Sequence, residues 1–121
     1  MRMLVVDDEE DNAELLALLL EREGWDVVCA STFEEAKREL AQGNYAALLT
    51  DVHLSDGNGL CLLDDGRPSG LRVAIVTTGS AAPMETEGTL EYFDAVMSKP
   101  IRTQELIEVL HRAVGSAPSE A

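Results

Sequence analysis

Acidic residues, threonines and a lysine follow several short apolar segments of the sequence, each within two residues of the segment's end. These residues are Asp7 and Asp8 after segment 3–6, Asp51 after segment 46–49, Thr77 and Thr78 after segment 73–76, and Lys99 after segment 95–97. Clustered carboxylates repel one another, and a hard cation such as Mg²⁺ relieves the repulsion while binding a phosphate oxygen. A carboxylate nucleophile beside a lysine and a hydroxyl suits phosphoryl transfer. These residue types therefore predict aspartyl-phosphate chemistry, provided that the fold brings them together.

Each of these residues also has an ordinary structural explanation when it is taken alone. Asp7, Asp8 and Asp51 are typical turn or helix-start acids. Thr77 suits the end of a strand, and a single lysine such as Lys99 is usually solvated. All of them occurring together at the ends of apolar segments is much harder to attribute to chance.

Two kinds of apolar pattern alternate along the chain and predict the elements that position these residues. Short Val- and Leu-rich runs at 3–6, 27–30, 46–49, 73–76 and 95–97 are typical of strands that are covered on both faces. Helical spacing predicts a helix over 12–23, with Leu15, Leu16, Leu19 and Leu20 on one face. A capping box at Thr32 to Glu35 predicts a second helix ending near Gly43, and another helix begins near Thr103.

Glycine and proline limit or interrupt the patterns of the third and fourth helices. Segment 57–65 leaves room only for a short helix before Gly66, Pro68 and Gly70. Segment 83–92 has room for the fourth, although Gly88 lies in its middle.

Strands alternating with helices predict an α/β fold with a doubly wound, five-stranded parallel sheet. We expect the flavodoxin-like strand order 2-1-3-4-5, with helices on both faces and the ligand site outside the carboxyl ends of the strands. Residues 1–114 are expected to form one domain, and 115–121 a flexible tail or the start of a linker.

Composition restricts the classes of partner and the compartment. The formal net charge of −14 and the lack of a basic stripe in the sequence argue against direct binding to nucleic acid or an anionic membrane. The apolar N-terminal run is too short for a signal peptide, so we expect a cytoplasmic protein. The two cysteines, Cys29 and Cys61, are expected to be reduced thiols in or near the core.

Four motifs carry a family resemblance that covers essentially the whole chain. They are Leu4-Val5-Val6-Asp7-Asp8-Glu9, Leu48-Leu49-Thr50-Asp51-Val52-His53-Leu54, Ile75-Val76-Thr77-Thr78 and Met97-Ser98-Lys99-Pro100. As a set they resemble the motifs of response-regulator receiver domains of two-component signalling, such as chemotaxis regulators.

The resemblance implies a role for each matching residue. Asp51 would accept a phosphoryl group from a histidine-kinase phosphohistidine, a phosphotransfer protein or a small phosphodonor. Asp8, Asp51 and the backbone carbonyl of His53 would bind Mg²⁺, with Mn²⁺ as an alternative ion, and Asp7 would act through a metal-bound water. Lys99, Thr77 and Thr78 would contact the phosphate. The Lys99–Pro100 peptide bond matches a cis position of the family.

The sequence departs from the family at the position three before the lysine. That position usually holds an aromatic residue that reports phosphorylation, and here it is Val96. The usual threonine–aromatic coupling is therefore in doubt. Thr78 and His53 are expected to tune the lifetime of the acyl phosphate, although His53 is equally well explained as an exposed loop residue. Output is expected through the face of the fourth helix, fifth strand and fifth helix, in a monomer or weak homodimer.

Three functions are compatible with the sequence. The first is a phosphorylated switch that catalyses only its own phosphorylation and dephosphorylation and is otherwise not an enzyme. The second is an interaction module with output uncoupled from phosphate, which Val96 motivates. The third is an aspartyl-phosphate phosphatase, a class that needs an acid two residues after the nucleophile, where this chain has His53.

Overall fold

The computed structural model describes residues 1–79 and 92–114. Its strands are β1 (Arg2–Val6), β2 (Asp26–Ala30), β3 (Ala47–Asp51), β4 (His53–Leu54), β5 (Gly57–Asn58), β6 (Val73–Thr78) and β7 (Ala95–Ser98). Five of them form one parallel sheet in the order β2-β1-β3-β6-β7, and β4 pairs with β5 in a small antiparallel hairpin. The predicted order 2-1-3-4-5 is therefore confirmed.

The described residues also form three α-helices and one 3₁₀ helix. They are α1 (Glu10–Glu21), α2 (Phe33–Gln42), the 3₁₀ helix Gly59–Leu63 and α3 (Thr103–Val114). The predicted fourth helix, 83–92, and the predicted tail, 115–121, lie outside the described residues, apart from Tyr92.

The sheet is covered on both faces, as its apolar strands predict. Met3 and Val5 of β1 belong to a core cluster that includes Leu16, Leu20 and Leu106 from α1 and α3. The intervening β1 residues Leu4 and Val6 belong to a second cluster that includes Ala36 and Leu40 of α2. Alternate side chains of one strand thus enter opposite cores, which explains why the strand sequences lack polar alternation.

The apolar face of α1 is narrower than the leucine spacing predicts. Ala13, Leu16 and Leu20 are buried, whereas Leu15 is 56% exposed. Leu15 lies about 100° around the helix from Leu16, so a stripe centred on Leu16 and Leu20 turns it toward solvent. The prediction that Leu15 belongs to the buried face is wrong.

The short third helix predicted within 57–65 is present as a 3₁₀ segment that begins two residues later, after a hairpin. Residues from His53 to Asn58 are used by the β4–β5 hairpin, so the helical segment starts only at Gly59. The side chain of Asn58 accepts a hydrogen bond from the Leu60 N–H (2.9 Å) and caps this segment. Gly66, with φ of +99°, lies just beyond its end.

Both cysteine thiols are free, as expected for reduced residues, but the predicted core location is only approximate. Cys29 is exposed and Cys61 is half-buried. Cys29 lies on β2, an edge strand of the sheet, where fewer neighbours cover the side chains.

Within the two described ranges, no helix combines the length and the apolar character that crossing a membrane requires.

Candidate functional site

The carboxyl ends of the sheet strands bring the sequence-predicted residues to one edge. Asp51 is the last residue of β3 and is paired in register with Thr77 of β6, while Thr78 is paired with Ser98 of β7. Asp7 directly follows β1, and its N–H donates to the carbonyl of Ala30 at the end of β2. Because all the strands run in parallel, these residues share one edge of the sheet.

Three carboxylates form an acidic cluster at this edge. One oxygen from each of Asp7, Asp8 and Asp51 lies within 4.8 Å of the others. Asp7 and Asp51 are buried, whereas Asp8 is exposed, so the cluster is open to solvent on the side of Asp8. Carboxylate oxygens at this spacing are a fitting donor set for a hard divalent cation.

Lys99 supplies the positive charge beside this cluster. Its Nζ lies 2.8 Å from Oδ2 of Asp51 and 3.8 Å from Oδ2 of Asp7. Burial alone would lower the pKa of Lys99, but the hydrogen bond and charge of Asp51, followed by the charges of Asp7 and Glu9, outweigh burial and raise it. Lys99 is therefore a cation at neutral pH and offsets part of the carboxylate repulsion.

The carboxylate of Asp7 is held by α1, a contact that the sequence reasoning missed. The Glu9 N–H donates to Oδ1 of Asp7 (2.9 Å), and Nδ2 of Asn12 donates to Oδ2 (2.6 Å). Asn12 lies in the first turn of α1, and its amide reaches back over the helix start. Neither contact follows from the apolar patterns that predicted the helix.

The His53 backbone and the Thr77 side chain make longer hydrogen bonds to Asp51 and to its neighbour Thr50. The His53 N–H donates to Oδ1 of Asp51 (3.3 Å), while the His53 side chain is exposed. The hydroxyl of Thr77 donates weakly to the carbonyl of Thr50 (3.5 Å), and both Thr77 and Thr78 are buried. The Lys99–Pro100 peptide bond is cis.

Gly59 allows the chain to pass closely behind Asp51. A Cβ at Gly59 would lie well inside contact distance of the Asp51 carbonyl oxygen and 2.7 Å from Oγ1 of Thr50. The Gly59 N–H also donates to the carbonyl of Val52 (2.7 Å). The close approach of these atoms is the steric reason for a glycine at this position, eight residues after Asp51.

The family of the chain follows from a match over most of its residues. The family model described as response regulator receiver domain matches residues 3–111. The chain belongs to this family. The acidic cluster of this receiver domain lies at the carboxyl ends of the strands. Sheets of this topology bind their ligands at that edge.

Known proteins similar to this receiver domain come from several organisms. It is 33% identical over 120 residues to the sensory/regulatory protein RpfC of Xanthomonas campestris, with 91% of this chain aligned. A CheY-like receiver structure from Methanospirillum hungatei has a TM-score of 0.84 at 29% identity and covers 94% of this chain and 93% of the other. The receiver domain of sensor histidine kinase PA1611 from Pseudomonas aeruginosa has a TM-score of 0.80 at 25% identity, with 95% and 98% covered.

The receiver domain is only part of the curated relatives. The aligned segment makes up 16% of RpfC and 49% of the transcriptional regulatory protein PmrA of Pectobacterium parmentieri. Most of RpfC and about half of PmrA therefore have no counterpart among the aligned residues.

Val96 lies at the position where the family resemblance implies an aromatic residue. Val96 lies on the edge strand β7, is 46% exposed and is paired in register with Val76 of β6. Tyr92 and Phe93, just before this strand, are partly buried against the core cluster that includes Leu71 and Ala74. Val96 is therefore a surface position, whereas Tyr92 and Phe93 contribute to the core.

Proposed function

We propose that this receiver domain accepts a phosphoryl group on Asp51 from the phosphohistidine of a sensor histidine kinase or a phosphotransfer protein. The observation that carries the proposal is the position of the Asp51 carboxylate. It is buried, bonded to Lys99 at 2.8 Å, and grouped with oxygens of Asp7 and Asp8 within 4.8 Å. This arrangement places a nucleophile among groups that stabilise the charge of a phosphoryl group.

In the transfer, a carboxylate oxygen of Asp51 attacks the phosphorus atom. The new O–P bond forms while the P–N bond to the donor imidazole breaks, and the departing nitrogen keeps the electron pair. The His53 N–H and the Lys99 ammonium orient the two Asp51 oxygens beforehand, at 3.3 and 2.8 Å. Lys99 then pairs with one phosphate oxygen. The Thr77 hydroxyl turns away from the Thr50 carbonyl and toward a second phosphate oxygen.

The acidic cluster fits a magnesium ion as its cofactor. Asp8, Asp51 and the backbone carbonyl of His53 would hold the ion, and Asp7 would contact it through water. When bound, Mg²⁺ neutralises charge on the phosphoryl oxygens and on the clustered acids. The structure of the PA1611 receiver, described as having a magnesium ion coordinated in its active site cleft, supports this assignment. Mn²⁺ would use the same oxygen donors.

Partners follow from the family and from the charge of the chain. The upstream partner is a histidine kinase or phosphotransfer protein, and the downstream partner is a protein that contacts the face containing β7 and α3. The net charge of −14 argues against nucleic acid or an anionic membrane as a direct partner. The proposed setting is the cytoplasm, with the domain monomeric or weakly dimeric. The domain would turn over no external substrate.

The lifetime of the phosphoryl group would depend on residues that flank it. Thr78 is buried beside Thr77, where a side chain larger than alanine narrows the space around the phosphoryl group. The exposed imidazole of His53 lies two residues after Asp51, within reach of an attacking water. Both residues therefore serve as tuning positions in this proposal.

Acetyl phosphate tests the proposal without a cognate kinase. The wild-type protein is incubated with acetyl phosphate, with Mg²⁺ or with a chelator, and its intact mass is measured. We expect a gain of one phosphoryl group that requires Mg²⁺ and is absent in Asp51→Asn. A wild-type protein that gains no phosphoryl group under either condition would contradict the proposal.

The exposed Val96 favours one alternative, an interaction module whose output is uncoupled from phosphate. A β-branched aliphatic side chain cannot make the rotamer swing of a large ring. Beryllofluoride with Mg²⁺ distinguishes the two functions by NMR. Chemical-shift changes that extend from Asp51 to β7 and α3 support the switch, whereas changes confined to the acidic cluster support the uncoupled module.

A further inference from the structure

The β4–β5 hairpin is a small element that lies just after the proposed phosphorylation site in the chain. It begins two residues after Asp51 and carries His53, whose backbone carbonyl is a proposed metal ligand. Its pairing consists of His53 with Asn58 and Leu54 with Gly57. A hairpin of two-residue strands has little stability of its own in water. Contacts with the rest of the domain must therefore fix its position.

Asp56, at the tip of this hairpin, binds the start of α2 with both carboxylate oxygens. Oδ1 accepts a hydrogen bond from the Phe33 N–H (2.7 Å), and Oδ2 accepts one from the Glu34 N–H (3.2 Å). These are backbone donors that have no partner within the helix itself. The Phe33 hydrogen bond is the main reason that the pKa of Asp56 lies below its ordinary value, although the side chain is exposed.

The other backbone N–H groups at the start of α2 donate to residues outside the hairpin. Oγ1 of Thr32 accepts a hydrogen bond from the Glu35 N–H (3.1 Å), which forms the predicted cap of α2. The Glu35 side chain reaches back to the Ser31 N–H (2.8 Å), one residue earlier than a standard capping box requires. Within residues 1–79 and 92–114, Asp56 is the hairpin residue whose side chain hydrogen-bonds to this helix start.

A second contact lies beside the first. Gly57 packs so closely under the Phe33 ring that a Cβ there would lie 2.9 Å from Cγ of Phe33. The hairpin tip therefore contacts both the backbone N–H and the ring of Phe33. Two independent contacts at one point fix the distance between α2 and the hairpin.

We propose that Asp56 is a positioning residue for the metal site: by tying the hairpin tip to α2, it holds the His53 carbonyl toward the acidic cluster. This inference rests on the proposed function. Asp56 itself touches no group of the cluster, so it acts through His53, whose N–H also contacts Oδ1 of Asp51. Outer contacts that orient metal ligands typically change metal affinity about 10- to 100-fold.

Magnesium titration by calorimetry tests the inference on four proteins: wild type, Asp56→Ala, Asp56→Asn and Thr32→Ala. We expect Asp56→Ala to raise the Kd for Mg²⁺ by about tenfold, at the low end of that range because the contact is exposed. Asp56→Asn keeps one acceptor oxygen and is expected to lie between it and the wild type. Thr32→Ala removes a cap from the same helix without touching the hairpin, so its Kd should match the wild type.

Hydrogen exchange gives a readout that a purely structural role would not change. Coupling between two equilibria is reciprocal, so Mg²⁺ must strengthen the Asp56 contact by the same factor by which the contact strengthens Mg²⁺ binding. We therefore expect Mg²⁺ to slow hydrogen exchange of the Phe33 and Glu34 amides. The factor should equal the one by which Asp56→Ala raises the Kd for Mg²⁺. The Glu35 amide, bonded to Thr32, serves as the internal control.

The outcomes separate this inference from the proposed function. If the wild type binds Mg²⁺ and Asp56→Ala binds it equally well, the inference is overturned while the proposed function stands. Equal weakening in Thr32→Ala also overturns it, because helix stability would then be the cause. If the wild type binds no Mg²⁺, the proposed function fails, and the inference fails with it.

Discussion

The ammonium group of Lys99 and the carboxylate of Asp51 form a 2.8 Å ion pair across the ends of two strands that are not neighbours. Lys99 follows β7 and Asp51 ends β3, with β6 between them. The lysine chain therefore reaches over the end of β6, past the buried Thr77. The same ammonium lies 3.8 Å from Asp7, so it is shared by two buried carboxylates.

Replacing Lys99 with methionine tests this shared charge. Lys99→Met keeps the length of the side chain but leaves Asp7 and Asp51 without their cation. Breaking a buried pair usually costs about 3–5 kcal/mol, and we expect roughly 2 kcal/mol here because Lys99 remains partly exposed. Urea unfolding in a chelator measures the loss, and saturating Mg²⁺ should restore most of it. A loss of the same size with and without Mg²⁺ would contradict the shared-charge account.

The exposed member of the acidic cluster is expected to contribute directly to metal binding. Asp8→Ala should raise the Kd for Mg²⁺ by at least about tenfold, which is the smallest loss typical even of outer contacts. Asp11→Ala removes an exposed acid from the first turn of α1, outside the cluster, and controls for net charge. Calorimetric titration compares the two variants. Equal Kd values for Asp8→Ala and Asp11→Ala would refute the ligand assignment.

The close approach behind Asp51 predicts a steric requirement at Gly59. Gly59→Ala would force the backbone of β3 or the 3₁₀ segment to move, and overpacking of this kind costs about 1–3 kcal/mol. We expect a lower free energy of unfolding and slower phosphorylation at Asp51. Gly79→Ala is the matched control, since no described atom lies within 4 Å of its would-be Cβ. A Gly59→Ala protein as stable as Gly79→Ala would show that the loop adapts freely.

The Asp56 contact predicts a specific pH dependence of stability. Its pKa is lowered in the folded protein, so the carboxylate stabilises the fold at pH above the unfolded pKa, and this stability is lost as the pH falls through the lowered folded pKa. Unfolding free energies of wild type and Asp56→Asn should therefore differ at neutral pH and converge in acid. Glu34, Lys37 and Arg38 of α2 line the same cleft and are unchanged in both proteins. A difference that is constant down to low pH would exclude this linkage.

Residues at the ends of the sheet strands were the most predictable part of the molecule. A parallel sheet brings its carboxyl strand ends to one edge whatever the details of the helices, so Asp7, Asp51 and Lys99 are placed by topology alone. Five short apolar runs were sufficient to predict that topology, because strands buried on both faces show no polar alternation.

Contacts that depend on local geometry could not be predicted in the same way. Leu15 has the spacing of the buried face, but the orientation of α1 is set by Leu16 and Leu20. The hairpin takes Gly57 and Asn58 from the predicted third helix and packs Gly57 under Phe33, a residue far from it in the chain. Asp56 has the sequence appearance of an ordinary turn acid before a glycine, and its contact with α2 appears only in three dimensions.

Locating the phosphoryl group within the chain is the most direct test of the central claim. After reaction with acetyl phosphate and Mg²⁺, the protein is digested at low temperature and the modified peptide is fragmented by tandem mass spectrometry. The account predicts a single phosphoryl group on Asp51, with Asp7 and Asp8 unmodified. A phosphoryl group on any other residue, or its persistence in Asp51→Asn, would contradict it.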